Sequence, residues 1–213
     1  MENKTPFIII GDGAEARDAL DITLALDVLV YGFFSMEETE GIKEINDVSV
    51  ITQLGSDDAN ALLAEEEIQL TVAVPDMSDR KTVADLLEQY NRKPANLIHP
   101  QTIISNHAKM GYGNIIAPGV IMGANAEIGN YCHINSRATI EADALIGEFV
   151  NIRAGAVIGK NVQIGHATHI GMGAVIFPGV KIGVGAKIAP GAVVIQDVDA
   201  GKSVAGNPAV VTN

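Results

Sequence analysis

The sequence predicts an α/β domain over residues 1–96 followed by a parallel β-helix over 97–195, and three observations carry that reading. An aliphatic residue recurs at every sixth position from Ile98 to Val194, seventeen times without a slip. Two residues before most of these stands a small side chain, among them Ala108, Val120, Ala126, Cys132, Ala138, Ala144 and Ala156. Ahead of residue 97 the period vanishes, and short apolar runs alternate with helical patterns. A period of six fits neither the 3.6-residue helix nor the alternating strand, whereas a stack of short strands wound into a coil requires it.

In chain order, Phe7-Ile8-Ile9-Ile10 reads as a buried strand broken by Gly11-Asp12-Gly13. A helical pattern follows over 14–26, then strands over 28–34, 48–51 and 70–74, and an amphipathic helix over 79–90. Strands alternating with helices predict a small parallel, Rossmann-like sheet. Asn91-Arg92-Lys93-Pro94 marks the linker. Beyond it each rung buries one large and one small side chain, and neighbouring rungs complete a shared core. Glycine often stands directly after the aliphatic residue, as at Gly111, Gly147 and Gly171, where it is expected to let the chain turn between flat faces. Three rungs of six make a triangular coil of eighteen residues, giving between five and six coils. After Val194 the period ends, and 196–213 is a C-terminal tail containing Gly206-Asn207-Pro208-Ala209.

Charge divides unevenly. Residues 1–96 carry 7 Lys+Arg against 20 Asp+Glu, a net of −13, and 97–213 carry 7 against 6, a net of +1, which together give −12. So acidic a chain repels nucleic acid, and no basic cluster offsets it. A single cysteine, Cys132, excludes a disulfide framework and points to a reducing compartment. No apolar run reaches membrane-spanning length, and Met1-Glu2-Asn3-Lys4 does not open a signal peptide. The expectation is a soluble, cytoplasmic protein without a membrane partner. Gly11-x-Gly13 after a strand is half of a dinucleotide fingerprint, but Ala16 takes the third glycine position, and no acidic residue ends the second strand cleanly, where Ser35-Met36-Glu37 stands. This is a tight strand-to-helix turn that tolerates an anion, and NAD is not predicted.

Several motifs together resemble one family, the bacterial hexapeptide-repeat N-acetyltransferases of nucleotide-linked amino sugars and their sialic acid O-acetyltransferase relatives. They are Ile8-Ile9-Ile10-Gly11-Asp12-Gly13-x-x-x-Arg17, Tyr31-Gly32-Phe33, Leu97-Ile98-His99-Pro100, Ile134-Asn135 and Val204-Ala205-Gly206-Asn207-Pro208-Ala209. The resemblance implies a left-handed helix, a homotrimer, acetyl-CoA in the groove between two prisms, and the sugar nucleotide on the first domain. It also implies a histidine general base with an acidic neighbour. Donor contacts are implied at Asn151, Lys160, Gly171, Met172, Pro190, Gly206 and Pro208, and acceptor contacts at Gly11, Asp12, Gly13, Glu15 and Ser35.

The departures are as informative. The family's catalytic histidine falls on Ala142, between Glu141 and Asp143, and a second family histidine falls on Asn151. Where the family reads Gly-His-Gly, this chain has Ala14-Glu15-Ala16; Ser35-Met36 replaces an acidic pair, and Lys160 a glycine that admits the acetyl end of the donor. Eighteen-residue stacking puts His133, Asn151 and His169 in one column, so His133 or His169 of one subunit is a candidate base beside Ala142 of the next, its tautomer set by Asp143 or Glu141. The bland alternative is a solvated face or a trimer seam. Glu148 and His166, also eighteen apart, read as a surface ion pair of little worth.

His133 and His169 have the spacing of two ligands in the zinc carbonic anhydrases built on this helix, but Ala174 takes the third position, so no metal is predicted. Without a side-chain base, an amine of pKa near 8 is still partly neutral and attacks a thioester, which favours N- over O-acylation. Three readings stand: an acyl-CoA-dependent transferase on an amino sugar, an inactive family member serving as a ligand-binding or scaffold protein, and a metal-dependent lyase.

Overall fold

A computed structural model describes residues 5–37 and 43–212, in two compact units, Met1–Pro100 and Gln101–Asn213. The opening tetrapeptide read for a signal sequence lies outside the described residues.

The first unit runs β1 (Phe7–Ile10), α1 (Ala14–Ala25), β2 (Val30–Ser35), β3 (Glu44–Ile45), β4 (Val48–Gln53), α2 (Asp57–Leu63), β5 (Gln69–Val72) and α3 (Met77–Gln89). The sheet order is β3-β4-β2-β1-β5. Parallel partners flank β1 on both edges, and Ile8, Ile9 and Ile10 are fully buried, which explains their unbroken apolar run. The sheet is mixed rather than purely parallel, because β3 and β4 form an antiparallel hairpin. Its loop residues Asn46 and Asp47 both have positive φ (48° and 66°), a conformation these short polar side chains tolerate. Helix α2 was not expected. It is too short to show a period, and it starts on the Ser56 hydroxyl, which accepts from the Ala59 N–H at 3.2 Å. Helix α3 begins two residues earlier than expected because the Asp76 carboxylate caps Ser78 and Asp79 (2.8 and 3.1 Å). In the linker, the Arg92 guanidinium donates to the carbonyls of Leu63, Glu65 and Ile68, tying down the turn after α2.

Seventeen two-residue strands follow one another from β6 (Leu97–Ile98) to β22 (Val193–Val194). Every third strand pairs in parallel with an offset of eighteen, so the coil has three flat faces and is a left-handed parallel β-helix. Ile134, Ile152, Ile170 and Ile188 stack inside, beside Cys132, Val150 and Ala186, all buried. Each fully buried isoleucine contributes roughly 1.5–3 kcal/mol.

The glycines after the aliphatic residues have a different purpose from the one expected. A Cβ at Gly147 would lie 2.7 Å from the His166 nitrogen, and one at Gly171 2.5 Å from the Pro190 nitrogen. They let successive coils approach. The corners turn two residues later, where φ is positive at every sixth position, as at Asn125, Arg137, Asp143 and Asn161. The segment after Val194 is also more regular than a tail. Val198 bridges Ile182, β23 (Ser203–Gly206) extends one face in parallel, and β24 (Ala209–Thr212) returns antiparallel.

Candidate active site

One face carries β12 (His133–Ile134), β15 (Asn151–Ile152), β18 (His169–Ile170) and β21 (Lys187–Ile188). Alternate residues point outward, so Ile115, His133, Asn151, His169 and Lys187 form one outer column in the expected register. His133 is 4% exposed and Asn151 7%. His169 is half-buried, and its pKa is pushed below the ordinary 6.5, first by burial and then by the charges of Arg153 and Lys187. It is therefore neutral at pH 7.

Ala142 sits at the corner between the other two faces, after β13 (Thr139–Ile140). Both flanking acids are tied to neighbouring coils. The Glu141 carboxylate accepts from the Lys160 backbone N–H at 3.0 Å, and Asp143, at φ 61°, accepts from Asn125 Nδ2 at 3.1 Å. Coils meet closely here, since a Cβ at Gly123 would lie 2.6 Å from the Ala142 nitrogen. The exposed Lys160 stands one coil beyond Ala142. Within one chain the two histidines lie on one face and Glu141 and Asp143 at the opposite corner, so a single subunit does not bring them together.

Of the other expected donor residues, Gly171 is a buried coil-contact glycine, whereas Met172 and Pro190 are exposed at one corner, eighteen residues apart. Gly206 and Pro208 lie exposed at the β23–β24 turn.

The expected acceptor residues gather at the carboxyl end of β1, the edge where open α/β sheets hold ligands. Gly11 has φ 118°, and a Cβ there would lie 2.5 Å from the Ala73 carbonyl oxygen, so no other residue fits. Gly13 begins α1 without a side-chain cap. Asp12 pairs with Lys43 Nζ at 2.7 Å, a cation the sequence reading missed because the two stand thirty-one residues apart. Glu15 lies half-buried in the first turn of α1. Nearby, partial burial and then Glu15 and Asp21 raise the pKa of Asp18, against the pull of Arg17. Ser35 is fully buried, its hydroxyl directed at the Thr52 carbonyl at a long 3.5 Å.

Glu148 and His166 meet one coil apart, as the stacking predicts. The carboxylate lies 3.9 Å from Nδ1, but that nitrogen accepts the Glu148 backbone N–H at 3.0 Å. Both side chains are exposed, so their contact is worth little, as expected, and the backbone hydrogen bond joins the two coils beside it. Beside it runs a groove of about 740 Å³ lined by Leu145, Gln163, His166 and Lys181, which holds none of the expected site residues. Among the described residues, no three His, Cys, Asp or Glu side chains are placed to hold a metal ion, and no helix is long and apolar enough to cross a membrane.

The profile described as bacterial transferase hexapeptide (six repeats) matches residues 125–160. Curated proteins give no match. Solved structures similar to this chain include a histidine-to-alanine mutant of GDP-perosamine N-acetyl transferase from Caulobacter crescentus, in complex with CoA and GDP-perosamine. It is 26% identical over 98% of this chain and 97% of that one, with a TM-score of 0.90. The acetyltransferase domain of PglB from Neisseria gonorrhoeae, in complex with acetyl coenzyme A, is 26% identical over 99% and 100%, at 0.88. WeeI from Acinetobacter baumannii, 24% identical over 97% and 99% at 0.85, shares the fold.

Proposed function

We propose that this chain is an acyl-CoA-dependent acetyltransferase acting on the amine of a nucleotide-linked amino sugar. Its whole-length likeness to the Caulobacter enzyme carries the reading. In that enzyme a histidine-to-alanine mutant was captured with both CoA and GDP-perosamine. Holding both substrates there does not require the imidazole, and Ala142 is where the family resemblance places a histidine in this chain.

The chemistry follows from positioning. The neutral amine attacks the thioester carbonyl, backbone N–H groups hold the tetrahedral oxyanion, and its collapse expels CoA as the thiolate, which takes up the proton that the attacking nitrogen loses. Glu141 and Asp143, fixed by Lys160 N–H and Asn125, orient the acceptor amine. Omitting a general base sacrifices on the order of 10²–10⁴ in rate, which an amine tolerates better than an alcohol. The nucleotide sits at Gly11-Asp12-Gly13, with Lys43 supplying positive charge in an otherwise acidic domain.

The working unit is a homotrimer with the donor between subunits. Support comes from the outer column Ile103, Ile121, Thr139, Val157, Val175 and Val193, which has no charge along the prism, with Ile103 67% exposed. An apolar stripe of this length suits a second copy. A cytoplasmic location is consistent with the donor and with Cys132 being a buried thiol outside any disulfide.

Titration calorimetry of the purified protein with acetyl-CoA tests this reading. Micromolar binding, one per subunit, followed by turnover of a nucleotide-linked amino sugar but not its hydroxy analogue, is the expected result. No binding at millimolar acetyl-CoA would leave the alternative that Ala142 and Asn151 favour, a non-catalytic scaffold of the same fold.

A further inference from the structure

The corner that holds Ala142 recurs once per coil, from residues 105–108 to 195–198. Across those turns it carries one lysine and no arginine, and the lysine is Lys160, stacked directly beyond Ala142. The Asn161 N–H donates to the Ala142 carbonyl at 3.1 Å, which fixes that stacking. Position 160 is exposed, and its ammonium makes no ion pair among the described residues. The fixed charge beside it is of the opposite sign, with Glu141 and Asp143 flanking Ala142. Both carboxylates are engaged elsewhere, Glu141 by the Lys160 backbone N–H at 3.0 Å and Asp143 by Asn125 Nδ2 at 3.1 Å.

The same corner is poor in backbone donors. The Lys160 N–H is committed to Glu141. In the coil beyond, the Gly179 N–H bonds the Lys160 carbonyl at 2.8 Å, and its neighbour Pro178 has no N–H to offer. Negative charge that develops on a substrate at this corner therefore meets two carboxylates and few amides. Lys160 is the cation within reach of it.

Resting on the transferase reading, we infer that the Lys160 ammonium is a catalytic residue, holding the negative charge that forms on the thioester oxygen and then on the departing sulfur. Coils lie about 4.8 Å apart, less than the length of an extended lysine side chain, so a thioester beside Ala142 is reached without backbone movement. As the N–C bond forms, the carbonyl π pair moves to oxygen beside the ammonium. When that pair returns, the C–S bond breaks and sulfur leaves as thiolate, taking the proton that the nitrogen loses. Lys160 itself gains and loses no proton. A compact charge with three donors on a flexible stem can follow the negative charge from oxygen to sulfur. The methyl group of Ala142 leaves room for that stem, so the small residue and the cation one coil on form a pair.

The thiolate is the charge that outlasts the step, so it can be read without an acceptor. Affinities of the full chain for CoA and for desulfo-CoA, which lacks the sulfur, are compared in wild type, Lys160→Met and Lys160→Arg from about pH 7 to about pH 9.5, where a thiol ionises. Each variant keeps the backbone N–H that holds Glu141, and the side chain is exposed, so folding is not at stake. Wild type is expected to gain about tenfold in affinity for CoA over desulfo-CoA across that range. Lys160→Met should show no gain while binding desulfo-CoA as wild type does, and Lys160→Arg should keep most of it. A Lys160→Met variant whose preference for CoA rises with pH as in wild type overturns the inference alone. So does one that loses CoA and desulfo-CoA alike, which would make Lys160 a donor contact only, and so does a wild type without the gain. A wild type that binds neither compound overturns the transferase reading with it.

Discussion

In the α/β domain each element is specified once, by its own local signals. β1 is a single apolar run, the caps at Ser56 and Asp76 each start one helix, and Arg92 alone reaches three carbonyls. The β-helix instead writes the same instruction seventeen times, and its inner residues are nearly interchangeable from coil to coil. Repetition leaves the outside free. Outer columns at one fixed spacing are apolar on one face, mixed-charge on another, and graded from isoleucine to lysine on the third. A scaffold that needs only its interior to be regular can change its chemistry one column at a time.

The contrast can be broken by mutation, and the largest effect belongs to the repeat. Gly171→Ala puts a Cβ against the backbone of Pro190, Ala189 and Ile188, where nothing flexible yields. A loss of about 3 kcal/mol is expected, seen as a thermal midpoint lowered by several degrees. An unchanged midpoint would mean that the coils can separate locally without consequence.

In the α/β domain the comparable single point is Arg92. Arg92→Ala strands three carbonyls and should cost about 2 kcal/mol in denaturant unfolding. Arg92→Lys should recover little, because one ammonium does not reproduce the planar fork. If Lys restored stability fully, charge rather than geometry would be holding that turn.

His169 gives the smallest effect. Its folded pKa lies below the ordinary 6.5, so the unfolded chain binds the proton more readily. Stability from this group is present above 6.5 and is lost as pH falls toward the lowered folded value. His169→Gln should therefore flatten stability against pH over that window. The same variant tests its role in turnover. A fall in kcat at constant KM would support the relocated base, whereas unchanged kcat and KM would leave His169 a structural member of its column.

Most of the fold was legible because a period of six admits one architecture, and the eighteen-residue offset put His133, Asn151 and His169 in one column, as observed. What it missed has physical causes. Two positive-φ residues in a row at Asn46-Asp47 turn a parallel unit into a mixed sheet, and no hydrophobic pattern records that. Offset reports proximity and not hydrogen-bond sense, so the bond that the Glu148 N–H donates to His166 Nδ1 has no signal in the sequence. The Asp12–Lys43 and Asn125–Asp143 contacts differ in the same way. The second follows from stacking, while the first depends on how a loop returns.

The coil also acts as a graduated scale. Separations between groups on one face change only in whole coils, each about 4.8 Å, because any shorter change in the strand count turns a side chain onto a different face. Inserting eighteen residues between Asn151 and Lys187 would lengthen that span by one graduation without re-aiming a single residue. Six or twelve would carry the lysine out of line. Any distance between two groups on one face of this scaffold thus changes by discrete steps, and a relative that altered such a distance should differ from this chain by multiples of eighteen residues.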